Sequence, residues 1–84
     1  MKEPVKDFAK IIPSSDGHQV LFYKDSDDQG PCLHQVTEVD GACADLKIGF
    51  RDSSKGWNAL NLAFEAMDQQ SADEVHNLIK KAMA

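Results

Sequence analysis

Two neighbouring stretches of this chain have the residue types and spacing to do chemistry. One is the acidic run Asp25-Ser26-Asp27-Asp28-Gln29-Gly30, and the other is the Cys32/His34 pair just after it. An EF-hand calcium loop takes ligands from its first, third and fifth positions, a backbone carbonyl at the seventh and a bidentate glutamate at the twelfth, with glycine at the sixth. Asp25, Asp27, Gln29 and Gly30 fit the first, third, fifth and sixth. The seventh is Pro31 and the twelfth is Val36, and both flanks have strand character where an EF-hand has helices. The run therefore reads as a solvated strand-to-strand loop, its aspartates making local Asx turns and Gly30 supplying a special backbone angle.

Cysteine beside histidine is the donor set of zinc sites and of thiol nucleophiles. Cys32 and His34 share one face of a strand, and Cys43 falls on the same face. No C-x-x-C spacing is present, and Cys43 lies on the order of 20 Å further along the sheet. His18 and His76 stand on other elements and cannot be placed near the pair. The expectation is a surface thiol and a strand histidine, with no catalytic residue, no metal, no cofactor and no Cys32–Cys43 disulfide. Glu38 and Asp45 fall close to Lys47 and His34, where cross-strand charge pairing explains them. Ser53-Ser54 invites anion binding at a helix start, but the glycine-rich phosphate-loop spacing is absent and capping accounts for it.

The elements that must position these residues follow from turn signals and periodicity. Asp40-Gly41 is the clearest signal, because a two-residue type I′ turn needs positive φ at both central positions. Counting outward pairs Val39 with Ala42, Thr37 with Ala44, Gln35 with Leu46 and Leu33 with Ile48, a mostly apolar face turned to the core. Cys32, His34, Val36, Glu38, Cys43, Asp45 and Lys47 take the opposite face. Upstream, 18–24 reads as a strand, and the opening residues fit either a helix at Val5, Phe8, Ala9 and Ile12 or a strand at 7–12. The strand makes the simpler meander. Met1 to Glu3 are expected to fray. In such a meander the 25–30 loop lies near the first helix start, so Asp25, Asp27 and Asp28 are placed near Arg51 and Lys55.

From Ser53 the period lengthens. Trp57, Leu60, Phe64 and Met67 recur at helical steps and read as core, with Asp52 or Ser53 as the cap. Gly56 costs that first turn about 1 kcal/mol relative to alanine. Ser71 and Glu74 read as the capping box of a second helix with Val75, Leu78, Ile79, Ala82 and Met83 on its apolar face. The fold class is α+β: an antiparallel meander of three to four strands followed by two C-terminal helices packed on one face of the sheet. All 84 residues form a single small domain.

Composition excludes several functions. A net charge of −5 repels polyphosphates, and Lys80-Lys81 is the one adjacent basic pair, so nucleic acid is not expected as a partner. No apolar run approaches the roughly 20 residues of a membrane span, and the first ten residues lack a secretory apolar core. Cytoplasmic localisation with reduced thiols is expected.

One stretch points to a partner. In 18–24, Val20 and Phe22 face one way and Leu21 and Tyr23 the other, so whichever pair the helices leave uncovered is exposed together with Val36 and His34. A strand apolar on both faces is buried on both. The expected function is a small acidic, non-enzymatic protein-interaction module that self-associates through the outer sheet face, using residues among Val20, Leu21, Phe22, Tyr23, His34 and Val36. A homodimer is the expected partner state, and a second protein with a basic surface is a further candidate. The alternative is a small-molecule-binding or enzymatic protein whose pocket, with His34, Cys32 and Tyr23, is completed at a dimer interface.

Overall fold

A computed structural model describes residues 8–84 of the chain. The expectation for Met1 to Glu3 lies outside those residues, as does Val5 of the helical reading, whereas Ala9–Pro13 is strand, so the strand reading of the opening holds over the described residues. Four strands, β1 (Ala9–Pro13), β2 (Gln19–Asp27), β3 (Gly30–Val39) and β4 (Ala42–Gly49), form one antiparallel sheet in the order β1-β2-β3-β4. Two helices follow, α1 (Ser54–Ala66) and α2 (Gln69–Ala82), and both pack on the sheet. The α+β meander is thus present with four strands.

The β3–β4 hairpin has the counted register, with Val39 opposite Ala42, Thr37 opposite Ala44, Gln35 opposite Leu46 and Leu33 opposite Ile48. Its turn residues have φ of 52° at Asp40 and 82° at Gly41, the signs a type I′ turn requires. Leu33, Gln35, Thr37 and Val39 are buried beneath the helices. Their β4 partners are covered less, and Ile48 is 40% exposed, because β4 is an edge strand beyond the reach of the helix pair.

In 18–24 the inward pair is Val20 and Phe22, both fully buried. They join Leu33, Leu60, Phe64, Ala72 and Val75 in one core cluster, with Ile12, Phe50, Ala63 and Met67 packed at its margin. Val20 and Phe22 are therefore core residues and drop out of the expected interface set. Leu21 and Tyr23 take the outer face. Lys10 and Lys24 place their ammonium groups 4.7 and 4.9 Å from the centre of the Phe64 ring, closing the core with their stems while the charges remain near water.

The helices depart from the sequence reading in three ways. First, α1 buries the stripe Gly56, Leu60 and Phe64, so Trp57 lies to one side, 44% exposed, with its Nε1–H donated to Asp52 at 3.3 Å. Trp57 is not a core residue. Second, α2 starts earlier than Ser71. Asp68 is its N-cap, accepting the Ser71 N–H at 3.0 Å while the Ser71 hydroxyl reaches back, so the capping box is Asp68/Ser71 and not Ser71/Glu74. Third, its buried face is Ala72, Val75 and His76, and Leu78 and Met83 are exposed.

Gly56 does more than weaken a first turn. A Cβ built on it would stand 1.7 Å from the Arg51 carbonyl oxygen. At Gly30, where φ is +129°, a Cβ would stand 2.6 Å from the Phe50 carbonyl oxygen. The β4–α1 connection therefore lies directly against two glycine backbones, which seats α1 across the end of the sheet.

Candidate functional site

The acidic run proves to be mostly strand. β2 extends to Asp27, only Asp28 and Gln29 form the turn, and Gly30 begins β3. The Asp27 carboxylate accepts the Gln29 N–H at 2.9 Å, the Asx turn expected of it. Its other oxygen pairs with Lys47 at 2.8 Å. Lys47 is thus the cation of this corner, in place of the Arg51 or Lys55 anticipated from sequence. This contact, ahead of the Gln29 N–H, holds the Asp27 carboxyl below its ordinary range and pushes Lys47 up. Val36 sits in mid-sheet opposite Leu21 and Asp45, remote from the turn where an EF-hand's last ligand would be needed.

Because β2 runs on to Asp27, Asp25 is the direct cross-strand partner of Cys32, and Tyr23 is the partner of His34. These residues share the outer face with Asp45 and Lys47 of β4. The Tyr23 and His34 rings stack with centres 4.5 Å apart and planes within 2°. His34 Nδ1 lies 2.9 and 3.0 Å from the two Asp45 carboxylate oxygens. A carboxylate only accepts, so Nδ1 carries the proton and donates it to Asp45. Nε2 is thereby turned toward the opposite side of the ring, where it lies 3.6 Å from Cys32 Sγ and 3.6 Å from an Asp25 oxygen. Cys32 is buried, which corrects the expected surface thiol, whereas Cys43 is exposed, and both are free.

Cys32, His34 and Asp45 stand in the order of a nucleophile, a base and an orienting carboxylate. Their electrostatics oppose that use. Nucleophilic cysteines sit in electropositive, partly exposed surroundings that lower the thiol. Here burial pushes the Cys32 thiol up, and Asp27 and Asp25 push it further. Burial likewise raises the Tyr23 phenol, helped by Asp45 and Asp25.

At the other end of the sheet a second group gathers. His18, at the β1–β2 turn, stacks on His76 of α2 at 4.2 Å and 20°, and its Nδ1 lies 3.0 Å from Asp16. His76 Nδ1 lies 3.0 Å from the Thr37 hydroxyl, and Ser15 donates its N–H and hydroxyl to Asp73 at 2.6 and 3.0 Å. These contacts fasten the turn to α2. An open hollow of about 480 Å³ lies alongside, lined by Gly17, His18, Gln19, Glu38, Asp40 and Gly41, and is separate from the Cys32–His34 group.

Of the interface residues expected from sequence, Leu21, Tyr23, His34 and Val36 do share the outer face, where Ile11 of β1 joins them. Ile11 is 59% exposed. Neither β1 nor α2 folds over this face. β1 extends the sheet at its edge, and α2 contributes Ala72 and Val75 to the core on the other side. Among the described residues no helix is long and apolar enough to cross a membrane. No family model, no curated protein and no solved structure matches this chain.

Proposed function

We propose that this chain is a small, acidic, non-enzymatic protein-interaction module that pairs with a second copy of itself through the outer face of its sheet. One observation carries the reading. Ile11, Leu21, Tyr23 and Val36 form an apolar patch across β1, β2 and β3 on the side opposite both helices, with Ile11 59% exposed. Fully burying an exposed aliphatic side chain such as Ile11 gains about 1.5–3 kcal/mol, and Leu21, Tyr23 and Val36, already half-buried, add smaller gains.

A second copy suits this patch because the surrounding charges are of both signs. Lys47 lies on the same face as Asp25, Asp27 and Asp45, so a two-fold arrangement can bring the Lys47 of each chain near a carboxylate of the other. Sheets packed face to face about 10 Å apart would bury the patch on both chains at once. Isotope-filtered NMR on an equal mixture of labelled and unlabelled chains tests this. Contacts between chains are expected from Leu21 and Tyr23. Contacts from helix residues alone, such as Leu62, would refute it.

A further inference from the structure

We propose that Asp25, Cys32 and His34 bind a single divalent zinc-class cation, and that Asp45 holds the His34 ring in place as an outer partner. Three electron-pair donors from neighbouring strands, a carboxylate oxygen, a thiol sulfur and an imidazole nitrogen, lie within 4.8 Å of one another. Two of the three separations come close to what zinc requires. With Zn–S near 2.3 Å and Zn–N and Zn–O near 2.0 Å, tetrahedral coordination sets adjacent ligand atoms about 3.3–3.6 Å apart. Cys32 Sγ and the Asp25 oxygen each lie 3.6 Å from His34 Nε2.

The surroundings agree with the distances. A metal-binding histidine commonly donates its other ring N–H to a carboxylate, which fixes the tautomer and directs the lone pair at the metal. Asp45 does this from 2.9 Å, and Tyr23 stacked on the ring fixes its plane. All three ligands project from the two central strands of the sheet, so the backbone ladder sets their separation. Thiolate and imidazole select a borderline-soft ion over calcium or magnesium, which demand oxygen ligands. Binding replaces the Cys32 S–H proton with a sulfur–metal bond. The proton passes to buffer, and nothing is oxidised or reduced. A fourth coordination position is left for water or an incoming group.

The Asp16, His18 and His76 group is the weaker candidate for the same ion. Its two imidazoles are stacked within 20° of parallel, and nitrogens lying in two parallel planes do not direct their lone pairs at one ion between them.

The test is titration of the reduced full-length chain with Co²⁺, followed by competition with Zn²⁺. One equivalent should bind and produce the near-ultraviolet charge-transfer band of a thiolate–cobalt bond, which Zn²⁺ then abolishes. Cys32→Ser should remove the band, and Cys43→Ser should leave it. Asp45→Asn should weaken binding about 10–100-fold. Asp25→Asn, an exposed change that does not threaten folding, should weaken it at least as much. Zn²⁺ should raise the melting temperature of the parent and not of His34→Gln. No charge-transfer band in the parent, or a band that survives Cys32→Ser and is lost in Cys43→Ser, would overturn the proposal.

Discussion

His34 donates its Nδ1–H to both carboxylate oxygens of Asp45, at 2.9 and 3.0 Å, diagonally across the β3–β4 ladder. That bond determines what the other side of the ring can do. With Nδ1 committed to Asp45, Nε2 faces Cys32 and Asp25, each 3.6 Å away. The same bond holds the Tyr23–His34 stack upright beside the apolar patch formed by Ile11, Leu21 and Val36. One strand face thus carries a polar half toward the β2–β3 turn and an apolar half toward the β1–β2 turn.

The two aromatic side chains on α1 should respond unequally to truncation. Phe64 is 6% exposed and sits in the core cluster, so Phe64→Ala should cost about 3–5 kcal/mol. Trp57 is 44% exposed, and Trp57→Ala should cost no more than about 1 kcal/mol. Urea midpoints of the two variants check this. Equal losses would mean that α1 is rotated from the orientation described.

Gly56→Ala reverses the usual helix rule. In an exposed helix interior the change stabilises by about 1 kcal/mol. Here the added methyl would stand 1.7 Å from the Arg51 carbonyl oxygen, so the β4–α1 connection must move. A loss of about 1–3 kcal/mol is expected from such overpacking. A variant as stable as the parent in thermal or urea unfolding would show that this close approach is not needed.

Acid should weaken the fold through carboxylates whose folded form favours ionisation. Asp68 accepts the Ser71 N–H and hydroxyl, and its carboxyl is held below the ordinary value of 3.8. Asp16 is held lower still, by the Ser14 hydroxyl first and His18 second. A depressed folded-state value means that the stabilisation is complete above the unfolded value and is lost as pH falls through the folded one. Urea midpoints should therefore hold steady down to about pH 5 and then decline. In Asp68→Ala the decline should be shallower, and an unchanged acid limb would contradict the capping role.

The β3–β4 hairpin was legible because its signal is local. Asp40-Gly41 names its own turn, and the register follows by counting. The β2–β3 hairpin was not, because its two-residue turn, Asp28-Gln29, hides inside a polar run that resembles one long loop. Without that register Asp25 could not be placed opposite Cys32, although Asp45 and His34 were already neighbours by the first hairpin. On the helices, apolar periodicity indicated a stripe but not its rotation. The buried line follows Gly56, Leu60 and Phe64, and a glycine contributes nothing to a hydrophobic pattern. His76 escaped for the complementary reason, being a polar residue buried by pairing with Thr37 and stacking on His18.

Sedimentation equilibrium at micromolar concentration tests the self-association claim most directly, on the parent and on Ile11→Glu, Tyr23→Glu and Leu62→Glu. Ile11 and Tyr23 lie on the outer sheet face, whereas Leu62, 68% exposed on α1, is equally apolar and on the other side of the molecule. A dimeric parent, monomeric Ile11→Glu and Tyr23→Glu and a dimeric Leu62→Glu are the predicted result. A parent that stays monomeric, or a dimer that Leu62→Glu dissociates and Tyr23→Glu does not, would contradict it.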